Sequence, residues 1–187
     1  MKKILKLSLV LFLICAVTAG ILGGINELTK DRIAEQNRLK TVKAYSAVLP
    51  ADDYEELDFE AAGVPKTIDK VTIDKISRAN NGSGYVVETS FSGAQGTITM
   101  ATGVNESLRC TGISIIKHSE TSGLGANAAS TAEVGVSFRA QFPGQGAGIA
   151  LKKAGGDIDA LSGATITSRS VTHAVAVSIE AVGMLLG

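Results

Sequence analysis

Tryptophan is absent from the sequence and the other aromatic residues are scarce, which argues against one class of partner. Phe, Tyr and Trp together make up 4% of the 187 residues. Proteins that bind single-stranded nucleic acid stack the bases on aromatic side chains. A nucleic-acid-binding domain also carries a clear basic excess, whereas this chain has 18 basic and 18 acidic residues. The composition therefore predicts no nucleic-acid partner.

Cysteine and histidine are equally scarce, so the usual soft metal ligands are missing. Cys15 lies in an apolar run far from Cys110, and no disulfide between them is expected. His118 and His173 stand far apart and show no metal-ligand spacing. Acylation of Cys15 is disfavoured because Ile14, just before it, is larger than the small residue that lipoprotein sites take. We expect no metal site and no iron–sulfur centre.

Charge is missing from residues 7–25, and this run is long enough to cross a membrane. Its 19 residues would span about 28 Å as a helix, close to the thickness of a bilayer core. A cleaved signal peptide is the alternative, since residues 16–20 imitate a cleavage site. The apolar region of a signal peptide is usually about 7–15 residues long, and this run continues to Ile25. We therefore favour an uncleaved single-span anchor.

The charges that flank this run predict its orientation. Lys2, Lys3 and Lys6 precede the run, whereas residues 27–32 carry both signs. By the positive-inside rule, residues 1–6 should lie in the cytoplasm. Residues 26–187 should lie on the extracytoplasmic side of the cytoplasmic (inner) membrane.

The rest of the chain divides into a linker and a domain. Apolar residues from 26 to Leu49 are scattered among charges as in a surface helix, and residues 51–63 are acidic, which predicts a short helix or a loop. We therefore predict a helical linker over residues 26–70 and a domain over residues 71–187.

The first part of this domain has the two-residue periodicity of strands. Residues 71–77 and 85–91 read as a hairpin, the second strand being half-exposed, because its apolar residues largely alternate with polar ones. Turns at 93–96 and at Asn105 then separate two further strands, and a change of phase at Gly112 indicates a bulge. Four consecutive strands followed by helical segments predict an antiparallel meander in an α+β domain.

A hydroxyl-rich stretch near the C-terminus has the properties of an anion site. Residues 159–168 contain four hydroxyl side chains, a carboxylate and a glycine, and they run into a predicted helix from Val171 to Leu186. Free N–H groups and the helix dipole favour an anion at such a point. The simpler interpretation is a capped helix start, with Thr167 or Ser168 as the N-cap.

The same stretch carries a family resemblance. Asp159, Ser162, Gly163, Ala164 and Thr165 match the flavinylation motif of the FMN-binding domain family. In that family the final residue is joined to FMN through a phosphoester bond. The resemblance implies covalent FMN on Thr165, with the other motif residues and Thr167 around it.

A glycine-rich loop further supports this resemblance. It follows the fourth predicted strand and resembles the corresponding loop in the G subunit of the Rnf-type ion-translocating electron-transport complexes, with Ser122 where that family usually has Pro. The resemblance implies that this loop contacts the flavin ring. The implied contact residues are His118, Glu120, Thr121, Gly123, Leu124 and Gly125.

The resemblance implies a function as well as a fold. The fold would be one transmembrane helix followed by an FMN-binding domain with an antiparallel sheet and packed helices. The chain would pass electrons through its FMN within a complex that couples ferredoxin–NAD electron transfer to ion translocation. It would need the other membrane subunits, and an FMN transferase to attach the flavin, because an unactivated hydroxyl is a weak nucleophile. It has no dinucleotide fingerprint. We therefore expect that the chain has no catalytic residue and does not catalyse a reaction by itself.

Other interpretations stay open at this point. The C subunit of the sodium-translocating NADH:quinone reductase shares the motif but is typically longer than 187 residues. An anchored module could hold a phosphate-bearing ligand without a covalent bond. A structural protein of the complex with a decayed motif is a third possibility.

Overall fold

The first element of the structure is a long helix that contains the predicted anchor. The computed structural model describes residues 2–187, so Met1, part of the predicted cytoplasmic N-terminus, lies outside the described residues. Helix α1 covers Lys2–Val48, and apolar side chains from Leu7 to Ile25 are exposed along it. The chain divides into two compact units between Lys40 and Thr41.

The second unit is built on an antiparallel sheet, as predicted. Strands β3 (Val71–Ala79), β4 (Tyr85–Ser92), β5 (Thr97–Val104) and β6 (Cys110–His118) pair consecutively. The turns fall where the sequence places them, and the β5–β6 register shifts next to Gly112. The meander and the bulge are therefore confirmed, and the domain is of the α+β class.

Residues 51–70 do not form the predicted helical linker. They contain strand β1 (Tyr54–Leu57) and strand β2 (Thr67–Ile68), which both pair with β3, so that the sheet order is β1-β3-β4-β5-β6. The acidic side chains of β1 do not prevent pairing because they are exposed at the edge of the sheet, where Glu56 forms an ion pair with Lys75 at 2.5 Å. The helical linker was predicted from the charge of this segment, whereas its strands form by pairing with β3, which comes later in the chain.

The C-terminal end of α1 covers part of the sheet face that was expected to be exposed. Ala44, Tyr45 and Val48 pack with Val86 of β4, which is fully buried. The Tyr45 hydroxyl donates a hydrogen bond to Glu88 at 3.0 Å. Burial, and then the Glu88 carboxylate, raise the pKa of Tyr45, so its hydroxyl stays protonated. Strand β4 is therefore less exposed than its alternation predicts.

Two helices complete the domain on the other face of the sheet. Helix α2 covers Glu133–Arg139 and helix α3 covers Thr165–Leu186. The side of α3 that carries Val171, Val175 and Ile179 is buried in the main core. Among the described residues, α1 and α3 are the helices long and apolar enough to cross a membrane, but half of the apolar window of α3 is buried inside the domain. Core packing accounts for the composition of α3.

Candidate functional site

The motif at residues 159–165 is a loop whose backbone is fixed by side chains from two helical regions. Gln141, just after α2, accepts a hydrogen bond from the Asp159 N–H at 2.7 Å and donates one to the Asp159 carbonyl at 3.3 Å. Ser168 accepts a hydrogen bond from the Leu161 N–H at 2.9 Å. The loop is therefore held at both ends before it enters α3.

Helix α3 begins at Thr165, six residues before the predicted start at Val171. Neither Thr167 nor Ser168 is the N-cap, because both lie inside the helix and both are buried. The N-cap is Ala164, which has no side chain that could make a capping hydrogen bond. The first backbone N–H groups of α3 are thus left without a side-chain acceptor, and such groups attract anions. Thr165 stands at this point.

The loop after β6 is tied to α3 through Glu120, which is 9% exposed. Its Oε2 accepts a hydrogen bond from Thr167 Oγ1 at 2.5 Å. Its Oε1 accepts one from the Gln95 N–H, in the β4–β5 turn, at 3.0 Å. One carboxylate therefore joins the β4–β5 turn, the loop after β6 and the first turn of α3.

The pKa of Glu120 reflects these contacts. Burial by itself would raise the pKa of this carboxyl, but hydrogen bonds from Thr167 and from the backbone N–H groups of residues 94–96 outweigh burial and lower it. Glu120 is therefore ionised at neutral pH. Both of its oxygens already accept hydrogen bonds within the protein. Glu120 therefore fixes the β4–β5 turn and the first turn of α3 relative to the loop after β6.

Two glycines leave the space that this carboxylate occupies. A Cβ at Gly125 would lie 2.1 Å from Glu120 Oε2, and a Cβ at Gly93 would lie 2.3 Å from Glu120 Oε1. The sequence interpretation gave Gly125 to the flavin ring, but Gly125 is buried against Glu120 and Thr167. Gly123 is different, since it is exposed, has φ +78° and faces open space.

Leu124 brings the loop after β6 next to the motif. A Cβ at Gly163 would lie 2.9 Å from Leu124 Cδ2, so this side chain packs directly over the Gly163 backbone. Leu124 is 45% exposed, and Ile166, one residue after Thr165, is 61% exposed. Thr165 therefore lies among accessible apolar side chains.

Open space adjoins the motif on two sides. A cavity of about 320 Å³ is lined by Thr165, Ser162 and Gly163 together with Lys152 and Lys153. A second cavity of about 400 Å³ lies on the side of α2 and also reaches Ser162. Thr165 thus lines a space in which a bulky phosphate ester has room.

The structure brings the predicted site residues together from two parts of the chain, residues 118–125 and residues 162–167. Ser162, Gly163, Ala164, Thr165 and Thr167 form the start of α3, and Glu120, Leu124 and Gly125 pack against it. His118 lies at the end of β6, where its Nδ1 accepts the Glu120 N–H at 3.3 Å. Thr121 and Gly123 are exposed in the same loop.

Some residues that shape the site were not assigned by the sequence analysis. Lys152 pairs with Asp159 at 2.6 Å, because the turn after Leu151 returns the chain so that Leu151 pairs with Ile158. Gln141 and the Gln95 backbone were given no role in the site either, and Ser168 was considered only as an N-cap candidate. The only available signal was the Lys152-Lys153 pair a few residues before the motif. Within residues 2–187, no group of three or more His, Cys, Asp or Glu side chains is arranged to hold a metal.

Comparison with known proteins agrees with this geometry. Residues 93–180 match the FMN-binding domain family, and residues 1–48 match the RnfG N-terminal region. The second match ends at Val48, where α1 ends.

Full-length relatives extend the similarity to the whole chain. The chain is 35% identical to the G subunit of the Na(+)-translocating ferredoxin:NAD(+) oxidoreductase complex of Acetobacterium woodii, over 96% of this chain and 91% of that protein. It is 33% identical to the G subunit of the ion-translocating oxidoreductase complex of Methanosarcina acetivorans, over 96% and 94%. For the corresponding protein of Escherichia coli the identity is 32%, over 94% and 89%. The chain therefore belongs to the family of G subunits of the ion-translocating oxidoreductase complexes, and it carries an FMN-binding domain.

Proposed function

We propose that this chain is a membrane-anchored electron-transfer protein that carries FMN covalently on Thr165. Its complex would couple ferredoxin–NAD electron transfer to ion translocation, as the name of the Acetobacterium woodii relative states for that protein. Ferredoxin and NAD would bind other subunits, because the chain has no dinucleotide fingerprint. The chain is therefore not catalytic alone.

The position of Thr165 carries this proposal. It is the first residue of α3, it follows an N-cap without a capping side chain, and it lines an open cavity. A phosphodiester on its oxygen would place one negative charge beside the free N–H groups of the first helical turn, where such a charge is stabilised. The residues present therefore fit a covalently bound flavin phosphate.

The division of labour between protein and cofactor follows from the same contacts. FMN, when bound, supplies the electron-transfer chemistry, and the protein supplies attachment, orientation and electrostatics. Glu120 fixes the first turn of α3 through Thr167, and Gln141 fixes the motif loop. These side chains position Thr165 for the transferase, which must activate the Thr165 hydroxyl. Asp159 would serve recognition by the transferase.

The flavin ring would pack on the loop after β6. Leu124 lies over Gly163, two residues before the attachment point, and Gly123 leaves open space beside it. Thr121 is exposed in the same loop and can donate or accept a hydrogen bond at the ring edge. Glu120 and His118 would support this loop through their hydrogen bonds within the protein.

Denaturing gel electrophoresis followed by in-gel flavin fluorescence tests the covalent bond. The full chain, produced with its FMN transferase, should fluoresce at its own mobility, and its intact mass should exceed the sequence mass by one FMN less one water. The chain produced without the transferase is the matched control and should show neither signal. A flavin that is lost on denaturation would favour the noncovalent binding module, and no flavin in either sample would favour the structural role.

The proposed topology has a separate test. The uncharged run at residues 7–25 would cross the inner membrane with Lys2, Lys3 and Lys6 in the cytoplasm. A protease added to cells with a permeabilised outer envelope should digest the globular domain and spare the anchor. Protection of the domain until the inner membrane is broken would show the opposite orientation.

A further inference from the structure

Two basic side chains share a cavity with Thr165, a third lies one helical turn after it, and the flavinylation motif includes none of the three. Lys152 and Lys153 stand on the short turn Lys152–Ala154 and line the same cavity as Thr165. Arg169 lies four residues after Thr165 on α3, and residues four apart are neighbours on a helix surface. The chain as a whole has a net charge of zero, so this concentration is local.

Among the described residues, one of these three basic side chains is in an ion pair and two are not. Lys152 forms an ion pair with Asp159 at 2.6 Å, which neutralises the one carboxylate that lines the cavity of Thr165. Within the described part of the chain, Lys153 and Arg169 take part in no ion pair. Both are exposed, and both line a smaller cavity of about 190 Å³ that also reaches His173. Lys153 thus lines both cavities, and Arg169, on α3, adds a second positive charge to the smaller one.

The ligand that suits this arrangement is a phosphate ester. Lys153 and Arg169 would supply charge-assisted hydrogen bonds, which are stronger than those between neutral groups. The cavity that Lys153 lines also reaches Thr165 at the start of α3, where free N–H groups favour an anion. With Asp159 neutralised by Lys152, the cavity that Thr165 lines retains the positive charge of Lys153.

We propose that Lys153 and Arg169 form a binding site for the phosphate of the flavin that is attached to Thr165. The site recognises the phosphate before the bond forms and holds the phosphodiester afterwards. This inference rests on the proposed function, since it takes FMN as the ligand. It adds two binding residues outside the motif, and it assigns them to the phosphate and not to the ring.

The test uses the full, unflavinylated chain in detergent, produced without the transferase, and two free ligands. FMN and riboflavin share the ring, and only FMN has the phosphate. Fluorescence titration should show FMN binding roughly tenfold more tightly than riboflavin, because a charge-assisted contact is lost in riboflavin. The double variant Lys153→Gln/Arg169→Gln should lose this preference and leave riboflavin binding unchanged.

Two further variants separate a phosphate site from general charge or misfolding. Lys66→Gln/Arg78→Gln removes the same charge from positions that line neither cavity and should keep the FMN preference. Lys153→Arg/Arg169→Lys retains both charges and should keep most of the preference. Exposed substitutions of this kind rarely change stability by more than about 0.5 kcal/mol.

The inference is overturned if the wild-type chain binds FMN no more tightly than riboflavin, or if it binds no FMN at all. It is also overturned if the preference persists in the Lys153→Gln/Arg169→Gln variant. Failure of the proposed function gives a different result, namely no FMN mass increment on the chain made with the transferase, whatever the preference for free FMN.

Discussion

Replacing Thr165 with Ala should remove covalent FMN completely. The variant made with the FMN transferase should have the mass of its own sequence and no in-gel fluorescence. The reason is geometric, because Thr165 is half-buried at the start of α3 and lines the open cavity. The next hydroxyl on the helix, Thr167, is buried and donates its hydrogen bond to Glu120 at 2.5 Å. It cannot reach the cavity without breaking that contact.

Two control variants make this result specific. Thr165→Ser retains a hydroxyl at the same position and should still gain the FMN increment. Thr167→Val removes the second candidate hydroxyl and should also keep the increment, with a loss of stability from the unpaired Glu120 oxygen. An increment that survives Thr165→Ala and disappears with Thr167→Val would move the attachment to Thr167.

Replacing Glu120 with Ala should destabilise the domain by about 3–6 kcal/mol, since two hydrogen bonds to a charged group are lost and each contributes about 1.5–3 kcal/mol. The substitution leaves the Thr167 hydroxyl and the Gln95 N–H without their acceptor. Denaturant unfolding of the full chain in detergent would measure the loss. A change below about 0.5 kcal/mol, the range of ordinary surface substitutions, would contradict the central role of this carboxylate.

Acid should reveal the charge of Glu120. The pKa of this group is lowered from its ordinary value of 4.5, as hydrogen bonds from Thr167 and from backbone N–H groups outweigh burial. The ionised form therefore stabilises the folded state above pH 4.5, and this contribution is lost as the pH falls toward the folded pKa. The stability difference between wild type and Glu120→Gln should be constant near neutral pH and shrink below pH 4.5. A difference that grows on acidification would show the opposite sign.

A glycine substitution tests the same contact from the other side. Gly125→Ala should cost about 1–3 kcal/mol, the usual range for overpacking, because its Cβ would lie 2.1 Å from Glu120 Oε2. Gly148→Ala is the matched control, since a Cβ there meets nothing within 4 Å and its φ is not positive. Equal stability of the two variants would mean that Glu120 moves aside without loss.

The sequence determined the parts of this protein that depend on local pattern. The uncharged run at residues 7–25 predicts a helix because a long unbroken apolar segment is by itself the signal of a membrane-spanning helix. The four main strands follow from two-residue periodicity and from glycine-rich turns, and the bulge near Gly112 follows from a change of phase. The motif at residues 159–165 was recognisable as a contiguous string of residues. No tertiary contact was needed for any of these predictions.

The tertiary structure decided what depends on residues far apart in the chain. Residues 51–70 form strands because β3 offers them a free edge, which their acidic composition does not announce. Thr167 is a buried hydrogen-bond donor and not a helix cap, because Glu120 lies 47 positions away in sequence and meets it in space. The Lys152–Asp159 pair requires the turn that joins Leu151 to Ile158. A side chain's role in the site is set by the partner it meets, and only folding brings these partners within hydrogen-bond distance.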